Sequence, residues 1–581
     1  MTTTPDEIRF SNTELADIFD RISNLLEIKG EMVFKIRSYQ RAAESLRALG
    51  EDINIVAAEG RLNDIPGVGK AISEKIQELL ATGKLGFLER LEAEVPPTLL
   101  RLLEVPDLGP RRVALFWKQL GITDLAGLEQ NARAGKLRTL PGMGEKSEAR
   151  IIAGIEALGR RTDRMTLGLA WTAASRWLDW LRAQPGVLRA EPAGSLRRWR
   201  ETIGDLDLVA AIEENCQVME HFINHPDVAH VLGQGDTKSS VELKGGVRIQ
   251  LWVTSPARFG SMLAYATGSK AHNVRMRELA LKKKLSLSDR GLQDADGKLV
   301  EYAEEEAVYA ALGLPWIPPE LREDRGEIEA AQRGLLPRLI ETADLRAEFH
   351  THTTWSDGTA SILEMAQAAA ALGYTTYAIT DHDASLGITR GLDPQRLAQQ
   401  RLDIEQAQAQ LGSRLRLLHG IEVDILSDGR LALPDDVLAN LDIVIASLHV
   451  NLRQPREAVT ERLLSAIRNP HVDVIAHPSG RLLPNREGAD LNWDVILPAA
   501  KEAGIALEIN ASPSRLDLTD IYARRAIDLG IPLMINTDAH TPRDLAEISY
   551  GVSVARRAWA SPETVINTWD TEKIVSWLEN R

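Results

Sequence analysis

"FHTHTTWSDG" (residues 349–358) poses the question that the rest of the chain answers. Alternation along an extended strand puts His350 and His352 on one face, and Asp357 follows close behind. Working outward, residues 342–581 alternate short apolar runs with helical stretches: "LRAEFHTHT", "TYAITDHD", "RLLHGIEVDIL", "IVIASLHV", "DVIAHP", "IALEINAS" and "PLMINTDAH". Seven strands, each followed by a helical segment, predict a βα barrel. The chemistry-bearing residues fall at the C-terminal ends of these strands: His350, His352, Asp357, His382, Glu422, His449, His477, Asp538 and His540. Barrel strands converge there, so these side chains can meet in one mouth.

Imidazole and carboxylate together suit zinc, manganese or iron rather than calcium. Nine donors exceed what one ion takes and fit two or three ions. A lone strand-end histidine is more often a satisfied polar residue, and His419 and His471 are read that way. The set as a whole resembles the PHP (polymerase and histidinol phosphatase) family, with all nine of that family's ligand positions filled in order. The resemblance implies a distorted (βα)7 barrel holding two or three Mn²⁺ or Zn²⁺, with iron as a further option. It also implies hydrolysis of a phosphate ester by water that the clustered cations acidify. Asp381, beside His382, is a candidate support for the ligands.

A second charged strand lies upstream. In "GDLDLVAA" (204–211), Asp205 and Asp207 share a face and repel each other unless a cation intervenes. The longer stretch "AGSLRRWRETIGDLDLVAAI" and the downstream "YATGSKAHN" resemble a family X DNA polymerase, the polymerase beta-like nucleotidyltransferases, over about residues 10–313. Combined with a PHP module, the chain is similar to the bacterial form of that family. The resemblance implies that Asp205 and Asp207 are catalytic and bind Mg²⁺ or Mn²⁺. It gives Ser195 and Arg198 to the triphosphate, and Tyr265, Gly268 and Asn273 to the incoming deoxynucleoside triphosphate. The family's third carboxylate belongs where this chain has Gln250, in "GVRIQLWV". A neutral amide neither charges the site nor takes a proton, which predicts weakened synthesis. Glu242 substitutes only if the turn in "ELKGGVR" has three residues, placing it across from Arg248 on the Gln250 face.

Residues 1–160 read as helical, and one pattern occurs three times: "LNDIPGVGKAISEKIQELL", "LLEVPDLGPRRVALFWKQLG" and "LRTLPGMGEKSEARIIAGI". Each has an apolar residue, Pro, a glycine-containing turn and a helix start. Gly67, Gly69, Gly109, Gly142 and Gly144 keep the turn amides bare, and amides at a helix N-terminus bind anions. The three copies resemble helix-hairpin-helix motifs, which grip DNA phosphates without reading sequence. "FKIRSYQRAA" and "GVGKAISEKI" resemble the small 5′-phosphate-binding domain of family X. That resemblance places Lys35, Tyr39 and Lys70 at a DNA end and Lys75 on the Schiff-base lysine position, while Ala71 stands where the family has a second lysine. Phosphate gripping alone is the competing reading of these lysines.

The bulk numbers agree with a chain of several domains. The net charge is −15, but residues 1–300 carry 42 Lys/Arg against 40 Asp/Glu, so the acidic excess lies behind them. Eight of the twelve histidines follow residue 341, so the two halves carry different chemistry. Cys216 is the only cysteine, which excludes an intrachain disulfide framework and fits a reducing cytoplasm. No leader and no long apolar run appears, so no membrane partner is expected.

The expected fold is multidomain α/β: helical domains with helix-hairpin-helix motifs, an α+β palm and thumb, and the PHP barrel. The expected boundaries are 1–85 (5′-phosphate domain), 86–164 (DNA-binding fingers), 165–255 (palm), 256–313 (thumb), 314–341 (proline-rich linker or strap) and 342–581 (PHP). The expected function is gap-filling DNA repair synthesis with 3′-5′ exonuclease, by a monomer acting on gapped or end-containing DNA. Two alternatives stand beside it: a nuclease whose front half is only a DNA-binding adaptor, and a phosphatase of a small metabolite, which would have no use for three hairpin motifs.

Overall fold

The computed structural model describes residues 10, 12–47, 49, 53–65, 67–105, 108–160, 164–385, 387 and 389–580. Two compact units result, Met1–Thr162 and Asp163–Arg581. In the first, helices α1 (Asn12–Lys29) and α2 (Val33–Arg47) bury an apolar stripe that includes Phe19, Ile22, Leu25 and Ala42. Three further helices, α3 (Lys70–Thr82), α4 (Pro110–Leu120) and α5 (Glu145–Arg160), follow the three repeated motifs. Each is entered through the same turn: Val68 N donates to Ile65 O (3.0 Å), Leu108 N to Val105 O (3.1 Å) and Met143 N to Leu140 O (3.1 Å). Gly67 (φ 80°) and Gly142 (φ 74°) take the left-handed conformation that this turn needs. Pro66 and Pro106 of the motifs lie outside the described residues.

The second unit begins with α6 (Leu167–Arg182), whose Trp177 is core, edge-on to Trp180 and Phe222. Helix α7 (Gly194–Arg197) leads into the five-stranded palm sheet. Its strands are β1 (Val187–Pro192), β2 (Leu206–Ile212), β3 (Val228–Gly233), β4 (Lys238–Leu243) and β5 (Arg248–Thr254), in the order β1-β2-β5-β4-β3. Strands β2 and β5 run parallel with Asp207 beside Gln250; the other pairs are antiparallel.

Helices α8 (Phe259–Thr267) and α9 (Lys270–Lys282) follow. The segment read as a linker or strap is instead folded against them. Leu314, Ile317, Leu321, Ile328 and Leu339 are buried in one core with Met276, Ala280 and Tyr309. Arg322 is fully buried and donates to Glu305 Oε1 (2.6 Å) and Ile317 O (2.8 Å). Proline and charge density mask this packing in the sequence. The apolar residues between them, and a buried ion pair, decide it.

Seven parallel strands complete the unit: β6 (Ala347–Glu348), β7 (Thr376–Ile379), β8 (Arg416–Asp424), β9 (Ile443–Ser447), β10 (Val474–Ile475), β11 (Ala506–Asn510) and β12 (Leu533–Asn536). They pair in sequence order, and a bridge from Thr351 to Ala539 nearly closes the ring. The outer helices include α10 (Asp520–Leu529) and α11 (Ile548–Arg557). Among the described residues no helix is long and apolar enough to cross a membrane.

Candidate metal centre and nucleotidyl-transfer site

The barrel brings all nine predicted ligands together. They form four overlapping groups, each with its donor atoms within 4.8 Å of one another. These are His352–Asp357–His382–His540, His350–Glu422–His477, His350–His352–Asp538 and His382–Glu422–His449. Glu422, at the end of β8, is central: Oε2 meets His382 Nδ1 at 2.8 Å and Oε1 meets His477 Nε2 at 2.9 Å. Asp538 Oδ1 lies 3.0 Å from His352 Nε2, and Asp357 Oδ1 lies 3.4 Å from His540 Nε2.

Two carboxylates that the sequence reading did not single out hold the outer edges of this set. Glu508 Oε1 faces His350 Nδ1 at 2.7 Å, and Asp424 Oδ1 faces His449 Nδ1 at 2.6 Å. A carboxylate only accepts, so Nδ1 carries a proton in each ring and Nε2 is the nitrogen turned toward Glu422. A signal for both was present: Glu508 is an acid inside an apolar strand, and Asp424 shares a face with Glu422. Asp381 supports the site less directly than expected. It accepts from Thr353 N (2.8 Å), Thr353 Oγ1 (2.7 Å) and Gln400 Nε2 (2.7 Å), fixing the strap between His352 and Asp357.

The electrostatics show why this cluster suits cations. His350 Nε2, His352 Nδ1, His477 Nδ1 and Glu422 Oε2 are buried without a hydrogen bond, and such unpaired polar atoms crowded at one place suit cation binding. Burial by itself would raise Glu422 and Asp538, yet the surrounding imidazoles hold both well below the carboxylate range. Burial would likewise lower His449 and His540. Glu422 and Asp424 outweigh it at His449 (about 10), and Asp357 with Asp538 at His540 (about 9). At His352 burial prevails, with the charges of His540 and His382 adding to it, and its value falls to about 4. His419, by contrast, is a buried structural histidine pushed down to about 4 by burial first.

In the palm, Asp205 and Asp207 face Gln250, whose amide nitrogen donates to Asp205 Oδ2. Gln250 therefore offers this acid a hydrogen bond rather than a third charge. Burial, and then the Asp205 charge, push Asp207 up to about 7. Gly194 (φ 58°) passes so close that a Cβ there would sit 2.1 Å from Asp207 Oδ2. The turn after β4 has three residues, and Glu242 pairs with Arg248. It shares the Gln250 face but stands two strand positions away, about 7 Å, and its carboxylate meets Arg248 Nε at 3.5 Å. Lys238, not foreseen from the sequence, lies on the same face with Nζ 4.0 Å from the Trp252 ring, and its charge acts on Asp207.

Arg198 donates to Thr267 O and to Glu323 Oε1 (3.1 Å), beside Gly268. Ser195 lies in the preceding turn of α7. Asn273 Nδ2 donates to Tyr265 O (2.8 Å), and both line a small cleft with Ser261, Met276, Arg277 and Tyr309.

In the first unit Lys35 and Lys75 lie over the Phe87 ring, 5.6 and 5.2 Å from its centroid. Lys75 Nζ donates to Ala71 O (3.0 Å), and Lys35 pairs with Glu31 at 3.4 Å. Tyr39, expected as a contact to a DNA end, is instead core at 5 % exposure, stacked between Phe19 and Phe87. Its ring supports the platform under the two lysines because helical spacing turns it inward. A Cβ at Gly69, Gly109 or Gly144 would meet open space, so no side chain crowds the entry to the three helices.

Comparison with known proteins finds relatives of several parts of the chain. A helix-hairpin-helix domain matches residues 10–85 and a SAM-like helix-hairpin-helix tandem matches 99–157. The DNA polymerase beta thumb matches 262–323 and the PHP domain matches 348–512. A DNA polymerase/3′-5′ exonuclease PolX of Bacillus subtilis (strain 168) is 36% identical over 569 residues, 97% of this chain and 99% of that protein. A probable phosphatase of Thermoanaerobacter sp. (strain X514) is 33% identical over 29% of this chain and 69% of its own length. A probable phosphatase of Caldanaerobacter subterraneus is 31% identical over 40% of this chain and 90% of its own length. Matched end to end by such a relative, with hairpin, thumb and PHP domains in order, the chain belongs to the family X DNA polymerases that carry a C-terminal PHP domain.

Proposed function

We propose that this chain is a DNA-directed DNA polymerase with 3′-5′ exonuclease activity, filling short gaps in DNA repair. The observation that carries the reading is the near full-length match to PolX, beside the clustered histidines and carboxylates of the barrel. Asp205 and Asp207 would hold Mg²⁺ or Mn²⁺ at the palm, and the nine barrel residues two or three Mn²⁺, Zn²⁺ or iron ions. Such ions supply positive charge against a phosphate and acidity to a hydroxyl or water.

The chain's own groups do the rest. Ser195 and Arg198 grip the triphosphate, while Tyr265, Gly268 and Asn273 line the nucleotide. Gln250 holds Asp205 in place, so that one acid stays fixed while Asp207, titrating near 7, loses its proton on assembly. Glu508 and Asp424 orient His350 and His449 in the barrel. Lys35, Lys70 and Lys75 with the glycine turns at Gly67, Gly69, Gly109, Gly142 and Gly144 bind DNA backbone, and Lys75 is the candidate lyase nucleophile. The protein works as a cytoplasmic monomer on gapped DNA and deoxynucleoside triphosphates.

A labelled primer on a one-nucleotide gap tests this in one reaction, with Mg²⁺ and then Mn²⁺. Extension with nucleotides and 3′ shortening without them are expected. No extension with either metal would leave only a nuclease.

A further inference from the structure

Arg198 reaches the palm on a turn that is held from outside the palm. Its Nε donates to Glu323 Oε1 at 3.1 Å and its Nη1 to Thr267 O, which leaves Nη2 as the open edge of the guanidinium. The residue after it, Trp199, sits at φ 53°, a left-handed conformation that a bulky side chain disfavours. Such a conformation persists only where its surroundings over-determine it.

The palm helix supplies Trp171, 4.7 Å from the Trp199 ring, and the barrel supplies much of the rest. Arg557, the last residue of α11, donates Nη1 to the main-chain oxygen of Arg198 (2.8 Å) and to Glu323 Oε1 (3.1 Å). Its Nη2 donates to Asp520 Oδ2 on α10 (2.7 Å), which also accepts from Arg325 Nη1 (2.9 Å). Tyr550, on the same helix as Arg557, packs edge-on against Trp199 with ring centroids 6.1 Å apart. Arg557 is 5 % exposed, and a buried guanidinium with acceptors on both arms has little freedom to move.

We propose that Arg557, a residue of the phosphoesterase barrel, is a positioning residue for nucleotidyl transfer. By bonding the Arg198 carbonyl and Glu323 together, it aims the open edge of Arg198 at the triphosphate of the incoming nucleotide. The barrel thereby completes the polymerase's nucleotide pocket as well as holding its own metal centre. This rests on the reading of Arg198 as a triphosphate contact.

The test is steady-state gap filling by the full chain, with 3′-end hydrolysis measured on the same preparations. Arg557→Ala should raise KM for the nucleotide about tenfold with little change in kcat, since the lost contact is made to bound substrate before and during reaction. Hydrolysis should stay within about twofold of the parent, and Arg557→Lys, which keeps the charge but not the fork, should fall between. Where Arg557→Ala does not yield folded protein, Asp520→Asn loosens the same guanidinium and should raise KM in the same direction.

An unchanged KM in the Arg557 variants, beside a raised KM in Arg198→Ala, overturns the positioning role alone. An unchanged KM in Arg198→Ala overturns the triphosphate reading and the proposal with it. A fall in kcat and hydrolysis together, with KM unmoved, also overturns it, because Arg557 would then be serving only the fold.

Discussion

The barrel mouth and the palm solve the same problem, several acids crowded at one place, in opposite ways. In the barrel six imidazoles interleave three carboxylates, so Glu422 and Asp538 stay ionised even though both are buried. In the palm two acids share one amide, the Lys238 and Arg198 charges do not offset burial, and Asp207 climbs to about 7. The barrel is electrostatically assembled before any ion arrives, whereas below about pH 7 the palm reaches its charged state only with a cation present. A binding site whose acids are matched by imidazoles is a standing structure; a site of few like charges is a conditional one.

The sharpest way to break the comparison is to remove a barrel ligand. His352→Ala should lower 3′-end hydrolysis by roughly 10³ while gap filling and DNA binding stay near the parent level. Retained hydrolysis would place that activity elsewhere. Next, Gly194→Ala should lower gap filling by about 10², since its Cβ would strike Asp207 Oδ2, and leave hydrolysis unchanged.

A third arm adds charge to the palm. Gln250→Glu puts a carboxylate beside Asp205 and should raise Mg²⁺-supported extension about tenfold, a fraction of what one preorganised group supplies. No gain would mean that the amide already satisfies the site.

The smallest effect is in pH. Asp207 keeps its proton below about 7, and the ion binds its deprotonated form. The Mg²⁺ concentration for half-maximal extension should therefore fall about fivefold from about pH 6 to about pH 7 and level off above it. The sign for stability is the reverse. A carboxyl raised in the folded state favours folding below its ordinary value of 3.8, and that contribution is lost as pH rises toward about 7. A flat profile of half-maximal Mg²⁺ across that unit would remove the conditional character assigned to the palm.

Much of this was legible in the residues. The seven strands, their ends and the nine ligands follow from alternation and spacing, because which face a strand residue takes is set within a few bonds of it. The three hairpin turns are equally local: glycine at 67 and 142 answers a backbone angle, and the same hydrogen bond closes all three turns. The proline-rich segment was not legible, since its burial depends on Arg322 finding Glu305. Tyr39 misled because an aromatic residue in a basic helix looks alike whether it faces DNA or Phe87.

Sequence alone thus determined the types of element and the donors each presents, properties governed by short-range stereochemistry. Tertiary structure alone decided which groups meet: Glu242 with Arg248 through a three-residue turn, Glu508 with His350, and Arg557 with the carbonyl of Arg198, 359 residues away. Contacts of that span depend on how whole sheets and helices pack, and no local pattern of residues encodes the distance between them.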